Sequence, residues 1–190
     1  MHSNIRFFST VLTYLMLLTS PLLSLSVHAL DRDKQQPINI QADQAEFNPN
    51  TGIATYTGTV VLTQGSLRVE AHQLTIYQTD NGELDKVVAQ GEKQRVHIQQ
   101  QPNAQDPLVH AYAMHVEYFA LEQEILLTHN AEVENGSDRF TGENIRYSLQ
   151  NRNIRAWGKK SNTENNPDAD EGRVKIILFP QNSKKQEQSQ

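Results

Sequence analysis

Ala54-Thr55-Tyr56-Thr57-Gly58-Thr59-Val60-Val61-Leu62-Thr63 alternates with a period of two: Tyr56, Val60 and Leu62 fall on even positions and threonine on most odd ones. Successive side chains of a strand point to opposite faces, so this segment reads as a half-buried strand with one apolar face. The same rhythm appears on both sides of it, in Ile38/Ile40/Ala42, Leu67/Val69/Ala71, Leu74/Ile76, Val96/Ile98 and Ile125/Leu127. Turn-forming clusters separate these runs: Asn48-Pro49-Asn50-Thr51-Gly52, Gln64-Gly65, Asp80-Asn81-Gly82, Asn135-Gly136 and Gln150-Asn151. No helical period is sustained beyond the N-terminal segment. The chain is therefore predicted to be all-β, with strands dense enough for a sandwich, a jelly roll or a solenoid.

A shift of 71 residues aligns Ile38–Ile76 with Val109–Tyr147 without a gap. Ile38/Ile40/Ala42/Ala45/Phe47 meet Val109/Ala111/Ala113/Val116/Tyr118, and Gly65-Ser66-Leu67-Arg68 meets Gly136-Ser137-Asp138-Arg139. Further on the match needs insertions: Val87–Gly91 resembles Ile154–Gly158, and Arg95–Ile98 resembles Arg173–Ile176. Shared parity over that length, with coincident Gly-Ser-x-Arg turns, points to an internal duplication in which each half supplies the same set of strands. The inward set mixes small residues (Ala42, Ala45, Ala54, Ala71, Ala113, Ala131, Gly142) with large ones. Such small residues either fit the taper of a roll or leave a groove between its sheets, and both remain open at this point.

The two ends differ from the middle. Residues 1–29 read as a cleaved signal peptide: Arg6 precedes an apolar run from Val11 to Leu25, and Val27-His28-Ala29 offers the peptidase site. The run is too short for a bilayer span, which needs about 20 residues, and Pro21 interrupts it. Residues 30–180 form the domain. Within it, 158–172 (GKKSNTENNPDADEG) is predicted as a mobile loop and Val174–Phe179 as the last strand, and 181–190 is expected to be a disordered tail.

The full chain has a net charge of −5, and losing Arg6 with the leader makes it one unit more acidic. That balance, with no basic stripe, argues against a nucleic-acid partner. There is no cysteine, hence no disulfide framework, thiolate metal site or lipid-acylated anchor. No HExxH, GxSxG or phosphate-binding glycine loop occurs, and His110 and His115, an odd number apart, would face opposite sides of one strand. No catalytic residue, metal ligand or cofactor is expected.

Gln36-Pro37-Ile38-Asn39-Ile40-Gln41-Ala42-Asp43, Tyr56–Gly65 and Leu126-Leu127-Thr128-His129-Asn130-Ala131, in this order and spacing, resemble the OstA family of periplasmic lipopolysaccharide-transport proteins over about Gln36 to Pro180. The sequence departs from the family at His129, where glycine is usual, and in the acidic insertion before its last strand. The resemblance implies an open, twisted antiparallel β-jelly roll in the periplasm, non-enzymatic, with lipopolysaccharide acyl chains in its interior. Carried over to this sequence, the lipid-facing candidates are Ile38, Ile40, Val96, Val116 and Tyr118, with Tyr56, Leu62, Val69, Leu74, Ile76, Phe140 and Tyr147 sharing their parity. The resemblance further implies head-to-tail pairing through two edge strands, Ile38-Asn39-Ile40-Gln41 and Val174-Lys175-Ile176-Ile177-Leu178. The partners implied are a bitopic subunit of the inner-membrane transport complex, the periplasmic domain of the outer-membrane translocon, and further copies of the chain. A secreted carbohydrate-binding or polysaccharide-modifying jelly roll is the alternative; it calls for polar and aromatic residues on the concave face, where this chain is aliphatic. A purely structural β-repeat would instead have a sealed core and no ligand.

Overall fold

The computed structural model describes Asp33, residues 35–159 and residues 172–179; the leader, most of the predicted loop and the tail lie outside these. Each half of the duplication contributes six strands. The first half has β1 (Asn39–Gln41), β2 (Gln44–Asn48), β3 (Ile53–Gln64), β4 (Leu67–Gln78), β5 (Leu84–Gln90) and β6 (Val96–Gln100). The second has β7 (Val109–Ala113), β8 (His115–Phe119), β9 (Glu124–Asn135), β10 (Asp138–Ser148), β11 (Asn153–Trp157) and β12 (Lys175–Ile177). β3 and β9 begin and end 71 residues apart, as do β2 and β8. All neighbours are antiparallel.

The long strands β3, β4, β9 and β10 each run through two lanes. In one lane their halves are joined by β1, β6, β7 and β12. In the other they are joined by β2, β5, β8 and β11. Between the lanes lies a crease at which every strand breaks or bulges. β1 stops before β2, and β7 stops at Met114 before β8. The β3–β4 register slips between Thr57 and Val60, and the β9–β10 register slips between Gly142 and Asn144. Bulges of this kind turn a strand sharply. The expectation that His110 and His115 lie on one continuous strand is thus corrected: the crease places them on β7 and β8, in different lanes.

Residues with left-handed backbone make the turn: Gly58 at φ 102°, and His129 and Asn130 at φ 64° and 58°. At Gly58 a Cβ would collide with the Asp43 carboxylate, which instead accepts the Thr59 N–H at 3.1 Å. His129, the counterpart of Gly58, carries a side chain on left-handed backbone of its own; its Nδ1 lies 2.8 Å from Glu143 Oε1. That contact holds the Glu143 carboxyl below its ordinary range, helped by the Asn130 N–H. The Met114 N–H donates to the His129 carbonyl at 2.9 Å and the Gly91 N–H to the Met114 carbonyl at 2.9 Å, so the crease is continuous through both halves.

Folding at the crease turns the apolar faces of the two lanes toward each other. The residues nearest it are sealed: Val96, Ala113 and Ile145 are 0% exposed and Leu74 and Ala131 1%. A non-glycine residue in left-handed conformation costs about 1 kcal/mol or more. Both His129→Gly and His129→Ala lose the Glu143 contact, so comparing them isolates the backbone. Chemical denaturation should find the glycine variant more stable than the alanine variant by about 1 kcal/mol; equal midpoints would mean the crease is unstrained.

Candidate functional site

Strand registers assemble the inward side chains into rows that cross the molecule from edge to edge. In the first lane the row is Ile40, Leu62, Val69, Ile98, Ala111, Val133, Phe140 and Ile176, each opposite the next. In the second lane Ala45, Tyr56, Leu74, Ala89, Val116, Leu127, Ile145 and Ala156 form the inner row. Phe47, Ala54, Ile76, Val87, Tyr118, Ile125, Tyr147 and Ile154 form the outer one. No charged side chain interrupts any of the three.

Burial falls away from the crease. Leu74, Leu127, Val116 and Leu62 are 1%, 2%, 4% and 9% exposed. Ile40, Val69, Ile98, Val133 and Phe140 in one lane, and Ile76, Val87, Ile125 and Ile154 in the other, are only partly buried against them. The arrangement is a trough with a packed floor and half-exposed apolar walls. Burial raises the Tyr118 hydroxyl above its ordinary pKa, the mark of a phenol held against an apolar wall.

Eleven of the twelve lipid-facing candidates lie on this one face. Val96, Leu74, Val116 and Leu62 form the floor; Ile40, Tyr56, Val69, Ile76, Phe140, Tyr118 and Tyr147 are less enclosed. Ile38 stands apart, before β1 and 58% exposed. Ala45, read from the alternation as inward, and Phe47, aligned with Tyr118 in the repeat, are exposed, Phe47 at 59%, because β2 has no described strand beyond it to cover them. The last strand is shorter than expected, Lys175–Ile177 rather than Val174–Phe179, and it pairs with β10 alone. Gly158 and Lys159 close directly onto Gly172, whose carbonyl accepts the Lys159 N–H at 2.9 Å, so the two ends of the predicted loop meet as a narrow neck.

The outer face carries a cluster that the linear sequence did not reveal. His97 on β6 is stacked on Tyr112 of β7, ring centroids 4.6 Å apart, and its Nε2 lies 3.0 Å from His110 Nδ1. Its Nδ1 faces Glu70 Oε2 at 3.2 Å, and Arg95 covers the other side of Tyr112 at 4.9 Å. Arg68 first, and His97 second, keep the Glu70 carboxyl below its usual range. A cleft of about 680 Å³ beside this cluster is lined by charged and polar side chains, Glu70, Glu92, Lys93 and Arg95 among them, together with apolar residues such as Val61 and Ala71. Charges of both signs there make it a poor site for an apolar ligand. The cluster joins residues 70, 97, 110 and 112, which only the β4–β6–β7 register brings together.

Residues 39–168 match the family described as LptA/(LptD N-terminal domain) LPS transport protein. The chain is 31% identical over 163 residues to the lipopolysaccharide export system protein LptH of Pseudomonas aeruginosa, covering 86% of this chain and 90% of that one. It is 28% identical over 178 residues to the lipopolysaccharide export system protein LptA of Escherichia coli K12, covering 92% and 89%. The crystal structure of LptH, the LptA-homologous periplasmic component of the lipopolysaccharide transport device of Pseudomonas aeruginosa, superposes with a TM-score of 0.65 at 30% identity, over 78% of this chain and 99% of that one.

Floor and wall positions are separable by stability. Leu74→Ala should cost about 3 kcal/mol, the usual penalty for emptying a sealed aliphatic site. Ile40→Ala, on a half-exposed wall, should cost less than about 1 kcal/mol by urea denaturation. Equal losses would mean that the walls are closed core.

Proposed function

The chain belongs to the family of LptA and LptD N-terminal-domain lipopolysaccharide transport proteins, and on that footing we propose that it is a non-enzymatic periplasmic carrier that holds lipopolysaccharide by its acyl chains in the trough. The observation that carries this reading is the unbroken apolar row from Ile40 to Ile176, which reaches both edges of the sheet. Moving a lipid through water exposes its chains at about 0.8 kcal/mol per CH₂, so a single chain of a dozen carbons faces about 10 kcal/mol. A wall of Ile, Val and Phe side chains along the whole path removes most of that cost. Polysaccharide binding would need hydrogen-bonding groups along the whole path, and the row from Ile40 to Ile176 has none; the tyrosines Tyr56, Tyr118 and Tyr147 all lie in the other lane.

Carriage between two membranes requires the trough to continue beyond one domain. Among the described residues β1 and β12 each leave one edge unpaired, at opposite ends of the sheet. Addition of a strand to such an edge is a common mode of recognition, and a contact between different edges does not close on itself. Ile38–Gln41 and Val174–Leu178 are accordingly the docking strands for further copies in head-to-tail order. The same edges receive a like domain of the inner-membrane complex at one end of the bridge and of the outer-membrane translocon at the other. The family description, which joins LptA to the N-terminal domain of LptD, supports a common edge geometry.

Photo-crosslinking amino acids at Ile40 and Phe140 should capture lipopolysaccharide in growing cells, and one at the outward-facing His110 should not. Ile40→Asp should abolish the Ile40-side transfer and lipid export with it. Capture at His110 alone, or normal export with Ile40→Asp, would contradict the carrier reading.

A further inference from the structure

The duplication provides a second use for its own seam. The two halves are joined inside the chain by β5 on β8 and by β6 on β7. β11 and β12 are the counterparts of β5 and β6, and β2 and β1 are the counterparts of β8 and β7, but all four have a free side among the described residues. The counterparts are fixed by pairing rather than by likeness of sequence. Val87 and Ala89 face Ile76 and Leu74, while Ile154 and Ala156 face Tyr147 and Ile145, the same positions one repeat later. Ile98 faces Val69 as Ile176 faces Phe140.

From this we infer that the internal seam is the template for the contact between copies, so that both lanes pair, in one register, with Arg155 of one copy directly opposite Glu46 of the next. The inference rests on the self-association reading above and adds a lane, a register and a charge code to it. Inside the chain Val88 faces Glu117, and Glu117 takes an ion pair from Lys86 across the seam at 3.7 Å. Glu46 is the repeat counterpart of Glu117, and Arg155 is that of Val88. Neither has an ion-pair partner among the described residues, and both are exposed. In the other lane the same rule sets Ile176 opposite Ile40, which joins the trough row of one copy to that of the next.

Composition supports a polar contact between unlike ends. The N-terminal edge from Asn39 to Asn48 carries Asp43 and Glu46 and no base, while Arg155, Arg173 and Lys175 mark the C-terminal edge without an acid among the described residues. Like ends therefore repel and unlike ends attract, which favours an open chain over a closed pair. Among the described residues, seven of the ten exposed large apolar side chains also lie at these two ends, Phe47 and Trp157 among them. A second copy covers them; a differently shaped partner would leave one lane bare.

Sedimentation velocity at low salt on the exported chain, with circular dichroism to confirm the fold, tests the register. Glu46→Arg and Arg155→Glu should each weaken self-association about fivefold, and the double reversal should restore it. Because the chain has no cysteine, mixing Glu46→Cys with Arg155→Cys should give a disulfide-linked dimer, and mixing Glu46→Cys with Trp157→Cys should not. Wild-type assembly that ignores the reversals, or a disulfide formed equally well with Trp157→Cys, overturns the register while leaving self-association standing. A wild-type chain that stays monomeric at every concentration overturns self-association itself, and the register with it.

Discussion

A strand of twelve residues with one apolar face cannot hide that face alone, and β3, β4 and β9 are each this long. The solution here is a bend: one line of bulges and left-handed residues folds the sheet so that each long strand covers itself and its neighbours. The rest of the molecule depends on that crease. It sets which side chains reach full burial, how the walls open away from the floor, and why every short strand belongs to one lane only. Asp43 at Gly58 and Glu143 at His129 do equivalent work in the two halves. Both carboxylates take a backbone N–H, from Thr59 and Asn130, and Glu143 adds a contact to the His129 imidazole.

Bending the sheet without closing it has two consequences. The walls stay half-exposed, at a cost in stability that a closed barrel would avoid. Among the described residues the strand edges also stay free, at both ends and in both lanes. In an ordinary soluble protein these would be two separate liabilities. In a carrier that must hand a lipid onward they are a single property, because an open trough can be extended only if the sheet that lines it can be extended too. The sealed floor, from Val96 to Ile145, provides the rigidity that lets the walls remain open.

Much of this was legible in the chain. Alternation placed the strands, and the 71-residue shift foretold matching limits for β3 and β9. The crease left a trace as well. The apolar positions change parity between Ala42 and Ala45, and again between Ala113 and Val116, which is what an extra residue at a fold line produces. What alternation could not convey was burial. Phe47 and Ala45 have the pattern of core residues, yet they stand at an uncovered edge, and only knowledge of which strands lack neighbours reveals it. For the same reason the sequence named only β1 and β12 as edges, although β2 and β11 also lack a neighbour on one side among the described residues. The His97–Tyr112–His110 stack was invisible because it depends on register between strands, a non-local quantity.

The central claim is that the half-exposed walls, rather than the floor or the outer face, receive acyl chains along their whole length. Methyl nuclear magnetic resonance of Ile, Leu and Val groups during titration with lipopolysaccharide tests it directly, with the deacylated form as control. The account predicts shifts at Ile40, Val69, Ile98, Val133 and Ile176 across the trough with the acylated lipid only, and none at outward-facing Val61. Shifts confined to the outer face, or the same shifts from the deacylated form, would contradict it.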